Sequence, residues 1–310
     1  MLRAHSARAM SQSQAPQTPR APAGAAPAAA ASPEPPPFDL AAFRAELDRL
    51  DDALHDLLMR RFALVERMAG SGTKGNGPAL RPGREAQILR RLLARHAGPM
   101  PAAALVRLWR EILAASTALQ GPFSVAVFAP SAGSGHARLA REHFGAATPI
   151  RTLPTPARAL AAIAAGEASV AVLPAPEEED TPEAAWWTKL DSPRIQVVAR
   201  LPFFRPRFVE GDPEALVLSV VPADPTGRDR TLIRLEVEAG QSRARLSAAL
   251  AAAGLAPRSL MLQRHDAATL ALAEVEGYLA GDAAAAAQLE SLPFARAQIL
   301  GAYAVPETGE

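Results

Sequence analysis

Arg44, Arg61, Arg84, Glu85, Ser116 and Gln120 are sparse polar residues set among the apolar stripes of a helical run between residues 39 and 120. Guanidinium groups grip carboxylates through parallel hydrogen bonds, a carboxylate accepts from a hydroxyl, and an amide donates at any pH. Such a set suits a helix bundle that holds a small dianion. Ser116 and Gln120, at i and i+4, share a helix face. Arg44 and Arg61 lie on one predicted helix, roughly 25 Å apart along the axis and about 100° apart around it. One straight helix cannot bring both to the same small molecule. Either they are separate surface charges, or they serve different sites, one of them in a partner subunit.

The elements that position these groups follow from hydrophobic spacing. Phe43, Leu47, Leu50, Leu54, Leu57, Leu58, Phe62, Val65 and Met68 recur at intervals of three and four, which predicts a long amphipathic helix with Asp39 as its N-cap. The glycine cluster at 71–78 ends it. A second helix is predicted over 81–97, with Ile88, Leu89, Leu92 and Leu93 on its apolar side, and a third over 102–120, stopped by Gly121-Pro122. The pattern then changes to short β-branched runs (VAVF, RTLP, VAVLP, IQVVARL, ALVLSVV) separated by helical stretches, which predicts an α/β layer sheet. After a turn-rich linker at 223–229, residues 230–305 read βαββαβ, the ferredoxin-like order. The expected fold class is therefore multidomain. An all-α three-helix domain at 38–121 precedes an α/β domain at 122–222 and an α+β ferredoxin-like domain at 230–305. The Pro/Ala-rich segment 1–37 is expected to be disordered.

The 310 residues, 49% hydrophobic, suffice for two or three cores. The 33 basic and 32 acidic residues leave a net charge of +1, which argues against a general nucleic-acid or anionic-membrane binder. The absence of cysteine excludes disulfides, thiolate catalysis and cysteine-ligated metals. The histidines at 5, 55, 96, 136, 143 and 265 show no ligand spacing, so no metal site is expected. No run approaches the roughly 18 apolar residues of a membrane span, and prolines interrupt the opening alanine runs, so no secretory signal is expected. The chain reads as cytoplasmic.

The segments FRAELDRLDDALHDLLMRR, RPGREAQILRRL and LWREILAASTALQ together resemble the all-helical chorismate mutases, particularly those fused ahead of prephenate dehydratase. The resemblance covers residues 39–120. It implies an intertwined homodimer whose two sites each draw on both chains, with chorismate as substrate, prephenate as product and no cofactor. In that arrangement Arg44 reaches into the neighbouring subunit's site while Arg61 serves its own. Arg44 and Arg61 would clamp the two carboxylates, Arg84 would supply a further guanidinium, and Glu85 would bind the substrate hydroxyl. Gln120 would donate to the breaking ether oxygen, and Ser116 would contact a substrate polar group. The sequence departs from the family pattern at Gly72, where a lysine belongs; Lys74 is the expected replacement. Arg81 stands where the family often has an acidic residue.

The remainder resembles prephenate dehydratase followed by its ACT regulatory domain, with the functional signatures lost. The dehydratase threonine–arginine–phenylalanine motif aligns with Pro213-Glu214-Ala215. The ACT motifs align with Arg243-Ala244-Arg245 and with the run from Met261 to Arg264. A degenerate half of this kind implies no dehydratase turnover, though it leaves room for a small-molecule effector. The competing expectations are a bifunctional mutase/dehydratase and a non-catalytic sensor of aromatic metabolites. The SAGSGH segment at 131–136 reads as a strand-to-helix turn or an anion nest, Trp186-Trp187 as packing, and the acidic run 177–180 as a solvated loop.

Overall fold

The computed structural model describes residues 39–70, 79–131, 133–207, 211–238, 240–264 and 269–309. The expected disordered tail and Lys74 lie outside the described residues. The chain divides into two compact units, Met1–Leu54 and His55–Glu310, the boundary falling inside the first helix.

That helix, α1 (Leu40–Gly70), is capped as expected: the Asp39 carboxylate accepts from the Ala41 and Ala42 amides at 3.0 and 3.1 Å. No residue of α1 is buried. Leu47, Leu50, Leu54 and Leu57 hold the alternating three- and four-residue spacing of a helix seam, Leu64 lies one heptad beyond Leu57, and each is more than half exposed.

The second helix, α2 (Pro82–Arg95), starts on a proline, whose missing N–H costs nothing at that position. Gly83 is buried against the Asp224 backbone, where a Cβ would meet the carbonyl oxygen at 2.3 Å. The third, α3 (Ala102–Leu119), follows Pro101. Ala86 and Leu89 of α2 pack with Val106 and Leu113 of α3, and with Phe203 and Ala304 from the β-rich part of the chain. The α2 segment is also tied there by charge. Arg81 makes a two-point contact with Asp224 at 2.6 and 2.8 Å. Arg90 donates to Glu307, Thr226 and the Val305 carbonyl at 2.6–2.7 Å. Arg81 is thus an anchor between segments.

The β-rich part begins with β1 (Val125–Phe128), α4 (His136–Phe144), β2 (Ile150–Leu153), α5 (Pro156–Ala164) and β3 (Val170–Pro174). It continues through β4 (Gln196–Leu201), β5 (Phe204–Arg205) and β6 (Ala215–Ser219). The carboxyl segment is β7 (Asp229–Val237), α6 (Arg243–Ala252), β8 (Pro257–Arg264), β9 (Thr269–Glu276), α7 (Ala283–Glu290) and β10 (Arg296–Ala304), followed by β11 (Glu307–Thr308). Every predicted strand and helix of residues 123–305 is present. β5 and β11, two residues each and paired with each other, are too short to carry a periodic signal.

Nine strands form one sheet in the order β2-β1-β3-β6-β4-β10-β7-β9-β8. The last four reproduce the ferredoxin-like arrangement, in which the fourth strand of the βαββαβ unit pairs with the first and the first with the third. The sequence suggests two separate sheets. They are joined because β10 also pairs with β4, through Gly301 and Val197. A Cβ on Gly301 would lie 2.2 Å from the Val197 carbonyl oxygen, and the residue's φ of +136° suits only glycine. Gly301→Ala is therefore expected to destabilise the protein by about 2 kcal/mol or more, from backbone strain plus overpacking, measured by urea unfolding. Trp186 and Trp187 are buried in the core on one side of this sheet, together with Tyr303 and Leu216, as the packing reading expects.

Candidate active site

The sequence-predicted residues separate into a hydrogen-bonded cluster, a buried ion pair and exposed charges. The cluster sits where α1 meets α3. Leu58, Arg61, Phe62 and Val65 are the half-buried residues of the second half of α1, so Arg61 belongs to its inward face. Arg61 Nη1 donates to the Ser116 hydroxyl at 2.5 Å, and that hydroxyl donates to the Ile112 carbonyl at 2.6 Å. Gln120 Nε2 donates to the Ser116 carbonyl at 2.8 Å, at the C-terminal end of α3. The Arg61 guanidinium also lies 5.7 Å from the Trp109 ring centroid and 5.8 Å from that of Phe62, in the range of cation–π attraction. Partial burial lowers its pKa from the ordinary arginine value. A partly desolvated guanidinium attracts a carboxylate more strongly than one in bulk water, because fewer water contacts must be given up.

Glu85 is joined to a residue that the sequence reading passed over. Arg110 Nη1 donates to Glu85 Oε2 at 2.9 Å, with the arginine side chain only 5% exposed and the glutamate 12%. Burial pushes the Glu85 carboxyl up and the Arg110 guanidinium down, while their mutual attraction opposes both shifts. The signal for Arg110 was present: it falls on the stripe Val106, Leu113, Thr117 that α3 buries, and an arginine there requires a carboxylate partner. Arg44 and Arg84 are exposed. The fold thus brings together Arg61, Ser116 and Gln120, and links Glu85 to Arg110 instead.

His143 lies beside the pair and lines a cavity of about 170 Å³ with Arg107, Arg110 and Phe203. Its ring stacks edge-on against Phe144 at 4.7 Å. Burial, and secondarily the Arg110 charge, hold its pKa well below the ordinary value. A histidine that is neutral in the fold but free to protonate when unfolded contributes stability above the unfolded pKa of about 6.5 and loses it as pH falls further. Unfolding free energy is therefore expected to drop by up to about 1.4 kcal/mol per pH unit below about 6.5 from this group. His143→Phe should flatten that slope in urea titrations between pH 7.5 and 5.

A half-buried arginine, a serine and a glutamine in one hydrogen-bonded cluster on a helical segment, continued by a mixed α/β sheet, define the architecture. Residues 43–121 match the family described as Chorismate mutase type II, so this chain carries a domain of that family. A bifunctional chorismate mutase/prephenate dehydratase of Pseudomonas aeruginosa is 32% identical over 158 residues, 49% of this chain and 42% of that protein. One of the same description from Aquifex aeolicus is 34% identical over 111 residues, 34% of this chain and 30% of the relative. The chain therefore spans less than half the length of these relatives. The prephenate dehydratase structure from Streptococcus mutans superposes with a TM-score of 0.41 at 16% identity, covering 60% of this chain and 99% of the other. No helix among the described residues is long and apolar enough to cross a membrane.

Proposed function

We propose that the helical domain converts chorismate to prephenate by cofactor-free rearrangement, in the biosynthesis of aromatic amino acids. The observation that carries the proposal is the Arg61–Ser116–Gln120 cluster inside the segment that matches the mutase family. The reaction is pericyclic. The enzyme must hold the compact diaxial conformer of a dicarboxylate and stabilise negative charge on the breaking ether oxygen, and neither task calls for a covalent nucleophile. Arg61 binds one carboxylate bidentately, Gln120 donates to the ether oxygen, and Ser116 orients the substrate while bracing Arg61. Arg84 adds positive charge at the rim. Glu85 meets the substrate hydroxyl through a rearrangement that loosens its bond to Arg110, and Lys74 takes the place of the missing lysine as a second donor.

Arg44 completes the site from a second copy of the chain. The exposed leucine seam of α1 supports this homodimer, since apolar residues at three- and four-residue spacing along a 31-residue helix are best covered by a like helix. The division into a mutase domain at 38–121, a dehydratase-like region at 122–222 and an ACT-like region at 230–305 follows the same reading, as does a cytoplasmic setting.

Dehydration of prephenate is not part of the proposal. Where the resemblance would place an arginine to hold the substrate carboxylate stands Glu214, which is ion-paired with Arg200 and Arg205. The decisive experiment follows chorismate consumption by the full chain with product identification. Prephenate should accumulate without phenylpyruvate, and Lys74→Ala should lower the rate. Absence of prephenate would overturn the mutase reading, and phenylpyruvate would establish the bifunctional one. Activity untouched by Lys74→Ala would remove only that residue's role.

A further inference from the structure

Glu85, which meets the substrate hydroxyl in the proposed reaction, is held by a chain of contacts that leaves α2 and returns to it. Arg110 Nη1 donates to Glu85 Oε2 at 2.9 Å, and among the described residues Oε1 accepts from none. The Arg110 guanidinium lies 5.4 Å from the ring centroid of Phe203, and that of Arg90 lies 5.8 Å from the same ring. Phe203 is buried in the connection between β4 and β5. Its carbonyl accepts from the Glu307 amide at 2.7 Å, and the Glu307 carboxylate accepts from Arg90 Nε at 2.6 Å. Arg90 and Glu85 both belong to α2, so the contacts close a ring through the α/β half of the chain.

We infer that the α/β half serves the helical site as its platform, with Arg110 and Phe203 positioning Glu85 to accept from the substrate hydroxyl. This role presupposes the mutase reading of the helical domain. A carboxylate free to change rotamer is a poorly oriented acceptor, and orientation is much of what this reaction asks of the protein. The bond to Arg110 fixes Oε2 and leaves Oε1 to turn towards the hydroxyl as the pair loosens. Arg110 can hold it because it is confined itself. Its side chain is 5% exposed, and a desolvated guanidinium is attracted to the face of an aromatic ring. Phe203 is confined in turn by packing with Ala86, Leu89, Val106, Leu113 and Ala304. The remaining Arg90 donors reach Thr226 and the Arg228 and Val305 carbonyls at 2.7–3.0 Å, which fixes α2 to the same half. The short pair β5 and β11 thereby gains a task, since β5 follows Phe203 and β11 begins with Glu307.

Arg110 also keeps Glu85 in its charged form. Burial pushes the Glu85 carboxyl up, and the arginine opposes that shift. A protonated carboxyl is the weaker acceptor, so activity should fall on the acid side as Glu85 takes a proton. The other charged or titratable groups around the pair are Arg90 on α2, Arg107 on α3, Glu142 and His143 on α4, and Arg200 on β4. The arginines stay charged, exposed Glu142 is ion-paired with Arg138, and burial holds His143 neutral.

The test follows chorismate consumption by the full chain across the pH range, with circular dichroism confirming the fold of each variant. Arg110→Gln is expected to lower kcat/KM at pH 7.5 about thirtyfold and to move the acid limb of the profile up by about one pH unit or more. Arg110→Lys keeps the charge, so it should return the limb close to its wild-type position and recover part of the rate. Phe203→Leu keeps apolar bulk and removes the ring, and should lower kcat/KM roughly fivefold. His143→Phe should leave the limb in place. A purely structural loss would lower the rate without moving the limb. If Arg110→Gln does not fold, Phe203→Leu decides the point. An unmoved limb in folded Arg110→Gln, a rate above wild type in that variant, or a wild-type rate in Phe203→Leu would each overturn the inference. A wild type that makes no prephenate removes the mutase reading and this role together, whereas wild-type turnover with unaffected variants removes this role alone.

Discussion

Arg61→Ala is expected to lower kcat/KM for chorismate on the order of a thousandfold, the cost of removing a preorganised charged donor from a developing anion. The fold should survive. Arg61 contributes one hydrogen bond and two ring contacts, and the Ser116 hydroxyl it abandons still donates to the Ile112 carbonyl. Loss of those contacts amounts to about 1–2 kcal/mol, which urea unfolding will resolve. Arg61→Lys keeps the charge and loses the planar fork, so it should retain an intermediate rate. Arg44→Ala is expected to fall comparably in activity with almost no change in stability, since Arg44 is exposed. The two variants also test the shared site. If Arg44 comes from the partner, mixed dimers of the two inactive variants contain one site carrying both substitutions and one carrying neither. Random exchange should then restore about a quarter of wild-type activity. No recovery after verified subunit exchange would place both arginines in service of the same chain's site, or of none.

The sequence revealed most of the secondary structure, because each long element repeats its apolar residues at a helix or strand period. HARLAREHF and VAVLP coincide with α4 and β3 residue for residue. The joining of the two sheets was not legible. It depends on the close approach of two backbones at Gly301 and Val197, which leaves no periodic trace. The site was legible in its hydrogen-bonded part, since Ser116 and Gln120 share a face by spacing alone. Partner choice was harder to read. Glu85 and Arg110 are 25 positions apart on separate helices, and their meeting depends on how α2 and α3 pack on Phe203 and Ala304. The acidic run at 177–180 looked like a solvated loop. Glu177 to Glu179 are indeed exposed, yet Glu177 and Asp180 also line a cavity of about 610 Å³.

Arg110→Met is expected to cost about 3–5 kcal/mol of stability, the largest effect foreseen for a single side chain in this protein. The cost lies in what the substitution leaves behind rather than in the attraction it removes. Glu85, whose side chain is only 12% exposed, would stay in a desolvated position with its charge uncompensated. The carboxyl would respond by taking a proton, since burial already pushes its pKa upward and Arg110 is what opposes that shift. The variant's deficit should therefore shrink as pH falls towards the raised Glu85 pKa, the reverse of the His143 trend in the wild type. His143 itself would be relieved of the Arg110 charge that helps depress its pKa, so its share of the acid sensitivity should also weaken. Glu85→Gln strands the arginine instead, and Arg110, which cannot release its proton, offers no such escape at low pH. The double variant Glu85→Leu/Arg110→Met replaces the pair with apolar side chains and should recover most of the loss. Urea unfolding of the four proteins at pH 7.5 and 5 checks the whole cycle. A single Arg110→Met deficit below about 1 kcal/mol at pH 7.5 would mean that Glu85 finds water, and that the pair is a surface contact after all.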